Sequence, residues 1–198
     1  MKKKLGITFM SIGLVCIISA AAILIYNTIE NKNAEKYSAA LMGAVTEAID
    51  KNALNTSEED PFDTEMKTVE IDGYDYIGCL LIPALNLDLP VMSEWDYTRL
   101  KISPCRYYGS TKTDNLVIAA HNYKSHFGYL GNLSPGDTIV FTDMDGKNHT
   151  YQVTVVEILQ PTDVDKVKDT GDDLILYTCT YRGVARITVR CSLTDDKN

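Results

Sequence analysis

Residues 5–26 carry no charged side chain, and nothing else in this chain restricts its folding as sharply. As a helix rising 1.5 Å per residue they would extend about 33 Å, against about 30 Å for the hydrocarbon core of a bilayer. A single segment in hydrocarbon must satisfy its backbone groups internally, so a helix is the form available to it. A cleaved leader is the alternative, since Ser19-Ala20-Ala21-Ala22 supplies small residues. The apolar core of a leader is about 7–15 residues, whereas here apolar residues continue to Ile25, which favours a retained anchor. Lys2, Lys3 and Lys4 before the run, with mixed charge after it, put the N-terminus inside and the remainder outside the membrane.

With 198 residues there is room beyond that segment for one domain of ordinary size. The net charge is −8, and because the first 26 residues hold three Lys and no acid, the rest carries −11. Such an excess disfavours nucleic acid and anionic surfaces as partners. Tyr37, Leu41, Val45 and Ile49 recur every four residues and predict a stalk helix with a narrow apolar stripe. Residues 52–70 are acidic and polar and read as a linker of low order.

From residue 74 the pattern becomes strand-rich. Strands are predicted at 77–82, 87–92, 116–120, 138–142, 149–159, 174–178 and 184–191, with Pro90 giving the second an edge-like character. Ser93 is a candidate N-cap for a short helix reaching Leu100, and 125–133 reads as a short helix or turn. Short strands with turn signals between them predict an all-β sandwich or barrel with minor helices. The organisation expected is a cytoplasmic N-terminus (1–4), an anchor (5–26), a stalk and acidic linker (27–73), a β domain (74–192) and a polar tail (193–198).

The strand 174–178 delivers Cys179 at its end, and Thr180-Tyr181-Arg182-Gly183 reads as a tight connection with Gly183 free to take positive φ. The returning strand puts Arg186, Thr188 and Arg190 on one face. A lone Cys is most often a small buried apolar group. A nucleophilic Cys needs a base, usually His, supplied by the fold. Of the three His, His121 also ends an apolar strand; His126, beside Phe127, reads as packing or surface, and His149, beside a hairpin, as solvent-facing. Cys79, Cys105 and Cys191 sit in or beside strands and allow at most one disulfide, Cys105–Cys191 being the conceivable pair. The absence of CxxC and HxxxH spacings argues against zinc. Asp172 and Asp173 read as flanking a loop, so no third member beside Cys and His is evident.

YTCT followed by RITVR resembles the TLxTC signature and closing Arg-bearing strand of the sortases. VIAAHNY is similar to the strand carrying their histidine, IGCLLIPALNLDLPVM to the opening of their barrel, and PCRYYGS to the segment before the His strand. The matches run in order over residues 76–191. Tyr177 departs from the small or aliphatic residue more common beside the Cys and alters the expected pocket wall.

The resemblance implies an eight-stranded sortase barrel behind a transmembrane helix, with Cys179 as nucleophile, His121 as acid and base, and Arg186 holding the substrate carbonyl or oxyanion, helped by the backbone N–H groups that follow the Cys. It implies a thiol transpeptidase of Gram-positive cell membranes, single-pass with an extracellular domain. Such an enzyme cleaves secreted proteins at a C-terminal LPxTG-like sorting signal and transfers them to an amine of cell-wall precursor or pilin. It implies no cofactor, with calcium left open as a modulator. Asp60-Pro61-Phe62 resembles the lid of pilin-assembling members, although a linker turn is the plainer reading. Two other classes share parts of the pattern: a cysteine hydrolase releasing acid to water, and a non-catalytic peptide-binding barrel. An L,D-transpeptidase would need an SxGC-type setting that Cys179 lacks.

Overall fold

The computed structural model describes residues 2–54, 64–180 and 183–194. It opens with one unbroken helix, α1 (Lys2–Ala53), of 52 residues, about 78 Å long at 1.5 Å per residue. From Gly6 onward its first part is long and apolar enough to cross a membrane, and its most apolar window is buried against nothing else in the chain. The second part lies along the β domain and buries Ala34, Ser38, Leu41, Val45 and Ile49. The stripe expected from Tyr37 therefore starts elsewhere: Tyr37 is exposed, and Ala34 and Ser38 face inward instead. The steps of four, three, four and four between these positions stay closer to a 3.6-residue period than the constant step of four expected.

Among the described residues nine strands follow: β1 (Val69–Ile71), β2 (Tyr74–Ile82), β3 (Leu87–Met92), β4 (Cys105–Tyr108), β5 (Leu116–Ala120), β6 (Thr138–Asp143), β7 (Asn148–Leu159), β8 (Leu174–Cys179) and β9 (Arg186–Leu193). Their order is β1-β2-β3-β4-β5-β8-β9-β7-β6, and β6 pairs back onto β2. Strands β2 to β9 thus close an eight-stranded barrel of the expected kind, with β1 outside the ring as a hairpin partner of β2. Leu80, Ile118, Phe141, Leu176 and Val189 are among the fully buried side chains inside it. All five residues of β5 are buried. Leu116, Ile118 and Ala120 join the interior, while Val117 and Ala119 lie in clusters on the other face. In one of those clusters Leu41, Val45 and Ile49 of α1 pack with Tyr76, Met92 and Met144. Each such side chain contributes roughly 1.5–3 kcal/mol of burial, so the helix is fastened to the barrel along its length.

Several local expectations change. The β domain begins at Val69 rather than 74, because β1 is too short for its alternation to be read before β2 pairs with it. Strand β9 runs one residue into the expected tail, to Leu193. Ser93 caps nothing; Asp96 takes the role, its Oδ1 accepting from the N–H groups of Thr98 and Arg99 at the start of a single 3-10 turn, Arg99–Lys101. Between 125 and 133 the chain forms turns and one short 3-10 segment, Leu130–Asn132. The stretch 27–51 expected as stalk continues the apolar helix without a break, and the helix runs two residues into the expected linker, to Ala53. Asp60-Pro61-Phe62 lies outside the described residues.

Candidate active site

Strands β5 and β8 run parallel and in register from Leu116↔Leu174 to Ala120↔Thr178. The next residue on each strand is His121 and Cys179, so the pairing sets the two side by side. The Thr178 hydroxyl donates to Ala120 O at 2.8 Å and ties this end of the pair. On its other side β8 pairs antiparallel with β9, and Cys179 stands directly opposite Arg186. Three neighbouring strands, about 4.8 Å apart, thereby present His, Cys and Arg in one row with the thiol in the middle. All three line a single cavity of about 240 Å³.

The hairpin between Cys179 and Arg186 is tightly closed. Thr180 N–H donates to Ala185 O at 2.9 Å, Ala185 N–H to Thr180 Oγ1 at 2.9 Å, and Gly183 N–H to Thr180 O at 2.8 Å. Gly183 has φ of +70°, as its place in the turn requires. These bonds correct one expectation. The N–H directly after Cys179 is occupied by Ala185, so it does not point an open donor at an oxyanion. Arg186 remains, with Nη1 held by the carbonyls of Ala185 (3.1 Å) and Gly183 (3.2 Å).

Arg190, four residues further along the strand face, is committed elsewhere. Its guanidinium donates to Glu157 and Asp172, both at 2.5 Å, and to Lys166 O at 2.8 Å. Asp173 accepts from Leu193 N–H at 2.6 Å. The two acids therefore brace the β8–β9 pair. Arg182 lies outside the described residues.

Burial lowers the pKa of His121, the positive charge of Lys101 adds to this, and Glu30 opposes it. The neutral imidazole is thus the resting form near neutral pH. The loop after it folds back tightly: Phe127 N–H donates to His121 O, and His126 and Gly128 N–H donate to Tyr123 O. The Tyr123 ring lies 4.9 Å from that of His121, and its hydroxyl reaches Glu30 of α1 at 3.2 Å. His126 is fully buried, 3.1 Å from Ser38 Oγ, and Ser38 in turn donates to Ile102 O. His149 is not solvent-facing as expected: it is buried, 2.8 Å from Asp143, on the β6–β7 hairpin remote from Cys179.

Cys79, Cys105 and Cys191 have thiols pushed up to about 12 by burial. All five cysteines are unbridged, including Cys105 and Cys191. Among the described residues no group of three His, Cys, Asp or Glu side chains is placed to hold a metal.

The pocket wall had drawn only Tyr177 from the sequence. Its ring packs edge-on against Tyr107 at 5.3 Å, Tyr107 against Trp95 at 5.4 Å, and Trp95 edge-on against Tyr97 at 5.8 Å. Trp95, Tyr97 and Tyr107 were legible only as an aromatic concentration between 95 and 108. Their meeting with Tyr177 depends on β4, β5 and β8 being adjacent.

The barrel and its row of side chains were compared with known proteins. A family model described as the sortase domain matches residues 80–194. Sortase A of Bacillus anthracis is 26% identical over 140 residues, 68% of this chain and 64% of that protein, so the chain spans somewhat less than two thirds of that relative. Among solved structures, sortase A of Corynebacterium diphtheriae superposes with a TM-score of 0.57 at 21% identity, over 91% of this chain and 98% of that one. Sortase C of Streptococcus pneumoniae gives 0.56 at 22%, over 84% and 89%. Sortase C of Clostridium perfringens, solved with a C-terminal cell wall sorting motif, gives 0.54 at 21%, over 89% and 99%. The closed eight-stranded barrel carries the structural likeness, and the domain match covers more than half of the chain; the protein belongs to the sortase family.

Proposed function

We propose that this protein is a cysteine transpeptidase acting through a thioester on Cys179. The observation that carries this reading is the register of three adjacent strands, which sets His121 and Arg186 on either side of the thiol at one cavity. His121, neutral at rest, takes the Cys179 proton as sulfur attacks a substrate carbonyl carbon. Arg186 hydrogen-bonds the oxygen as it becomes negative. The C–N bond breaks, and the leaving amine departs with the proton held on His121. A second amine then attacks the thioester and gives its proton to His121, which returns it to the departing thiolate. This sequence calls on no bound cofactor.

The substrate class is a secreted protein with a C-terminal LPxTG-like sorting signal, and the acceptor an amine of cell-wall precursor or of a pilin. Support comes from the family match and from the sorting motif and pilin specificity named for the sortase C structures of C. perfringens and S. pneumoniae. The helix from Gly6 would anchor the chain by a single pass, N-terminus inside and barrel outside. Incubation with a library of sorting-signal peptides and excess candidate amines, read by mass spectrometry, tests the reaction. The expected product is the N-terminal fragment joined to the amine. Release of free acid alone, with amine in excess, would make the protein a hydrolase, and no product that depends on Cys179 would make it a binding barrel.

A further inference from the structure

We infer that α1 is a rigid strut that holds the catalytic end of the barrel facing the bilayer, with Tyr97, Val184 and Ile158 forming an apolar rim against the headgroup layer. The helix is unbroken from Lys2 to Ala53, so the direction of its span dictates the direction of the barrel. Its first bonds to the barrel come only a few residues after Tyr26, where the apolar run gives way to Asn27-Thr28. Glu30 reaches Tyr123 Oη at 3.2 Å, and Asn31 Oδ1 accepts from Lys124 N–H at 2.9 Å. Both partners lie in the loop that leaves His121. Four residues of helix rise about 6 Å, so that loop stands about one helical turn above the end of the span.

The far end of α1 meets the opposite end of the barrel. The backbone of Gly146, in the β6–β7 turn, comes so close to Ala53 that a Cβ on the glycine would lie 2.8 Å from the Ala53 methyl. Strand β7 runs from that turn to Leu159, which pairs with Arg186. The β6–β7 turn and the Cys179–Arg186 row therefore occupy opposite ends, separated along the helix by about 35 Å between Glu30 and Ala53. With the span in the bilayer, the catalytic row is the near end and the turn the far one.

A second, independent observation agrees. Among the described residues beyond α1 and Leu54, the three most exposed large apolar side chains are Tyr97 (74%), Ile158 (70%) and Val184 (69%). Tyr97 lines the cavity with Cys179, Ile158 pairs with Ile187 next to Arg186, and Val184 belongs to the hairpin after Cys179. All three mark the end that α1 aims at the membrane. The contact is apolar and held by the tether, so the chain's acidic charge does not oppose it on zwitterionic lipid. For the reaction proposed above, the attacked carbonyl would be delivered close to headgroup level. The orientation itself does not rest on that reaction, since an inactive barrel would face the same way.

Energy transfer to lipid measures it. Trp95 is the only tryptophan and lines the catalytic cavity. The full chain is reconstituted in phosphatidylcholine liposomes with a dansyl headgroup lipid in the barrel-side leaflet. Transfer from Trp95 is expected to be several-fold higher than from a Trp95→Phe, Lys147→Trp variant, whose probe sits in the far turn. A Trp95→Phe, Val184→Trp variant should transfer at least as well as Trp95. Inserting seven helix-forming residues after Asn27 keeps the facing but raises the barrel about 10 Å, and should reduce transfer from Trp95. Equal or greater transfer from the Lys147→Trp probe, or no response of Trp95 to the insertion, overturns the orientation. A Val184→Trp signal no stronger than that from Lys147→Trp overturns the rim. Because Trp95 reports in the native chain and with the insertion, misfolding of a probe variant leaves the orientation open to refutation.

Discussion

Arg186 and Arg190 share one strand face, yet their surroundings assign them different work. Arg190 lies about 13 Å further along at 3.3 Å per residue and is saturated by Glu157, Asp172 and Lys166 O. Arg186 stands opposite Cys179 and, among the described residues, donates to two turn carbonyls. Turnover of Arg186→Ala should fall about 10²- to 10³-fold, the usual effect of losing an oxyanion donor, with the fold kept. Arg186→Lys should recover little, because an ammonium lacks the planar fork. Arg190→Ala should instead lower the unfolding midpoint, since it strands two partly buried carboxylates. An Arg190→Ala defect in turnover larger than that of Arg186→Ala would exchange the two roles. Thiol labelling offers a second check at this scale. Cys179 should react before Cys79, Cys105 and Cys191, whose burial keeps them protonated, and Cys179→Ala should abolish both fast labelling and transfer.

The loop from His121 to Gly128 is the element on which the site depends most. Three backbone bonds curl it back on Tyr123 and His121, and Gly128 allows the approach. A Cβ there would stand 2.7 Å from Tyr123 O and 2.8 Å from Asn122 O, both backbone atoms that cannot swing aside. Gly128→Ala must therefore shift the loop that sets the His121 ring. A misplacement of about 1 Å can cost about 10²-fold in rate, so turnover should drop by roughly 10- to 100-fold while the barrel remains folded. Measuring kcat beside the circular dichroism spectrum distinguishes this from global loss of structure; an unchanged kcat would show that the loop tolerates the side chain. The strands around it were largely readable from period-two alternation, as at Tyr151 and Val153 in β7. The loop was not, because its shape comes from backbone bonds and from contacts with α1 more than 90 residues away in sequence.

At the scale of the whole molecule, His126 joins the anchor helix to the barrel. Burial pushes its pKa down to about 4, helped by the positive charge of a protonated His121. The unfolded chain, with an ordinary His near 6.5, binds a proton in that interval which the folded chain refuses. Stability from this group is thus complete above about pH 6.5 and is lost as pH falls, by an amount on the order of 3 kcal/mol near pH 4. Denaturant unfolding of the full chain in detergent at pH 7 and pH 4.5 should show this loss. His126→Gln, which keeps a donor for Ser38 and cannot titrate, should lose distinctly less between the two pH values. An equal loss in both would place the acid sensitivity elsewhere.

By itself the sequence determined what local periodicity and residue chemistry can encode. The uncharged run dictated a helix, the alternation and turn residues dictated short strands, and Cys179 and His121 at strand ends marked the candidate site. Four ordered motifs chose a barrel over a sandwich. Tertiary structure alone decided what depends on which strands become neighbours. The β5–β8 register sets His121 beside Cys179, the β8–β9 pairing puts Arg186 opposite the thiol, and the meeting of β4 with β8 across β5 builds the aromatic wall. It also decided that the span and the stalk are one helix and that this helix braces the His121 loop. Periodicity reports which face of an element is buried but not against what, and the partner across each buried face is set only when the barrel closes.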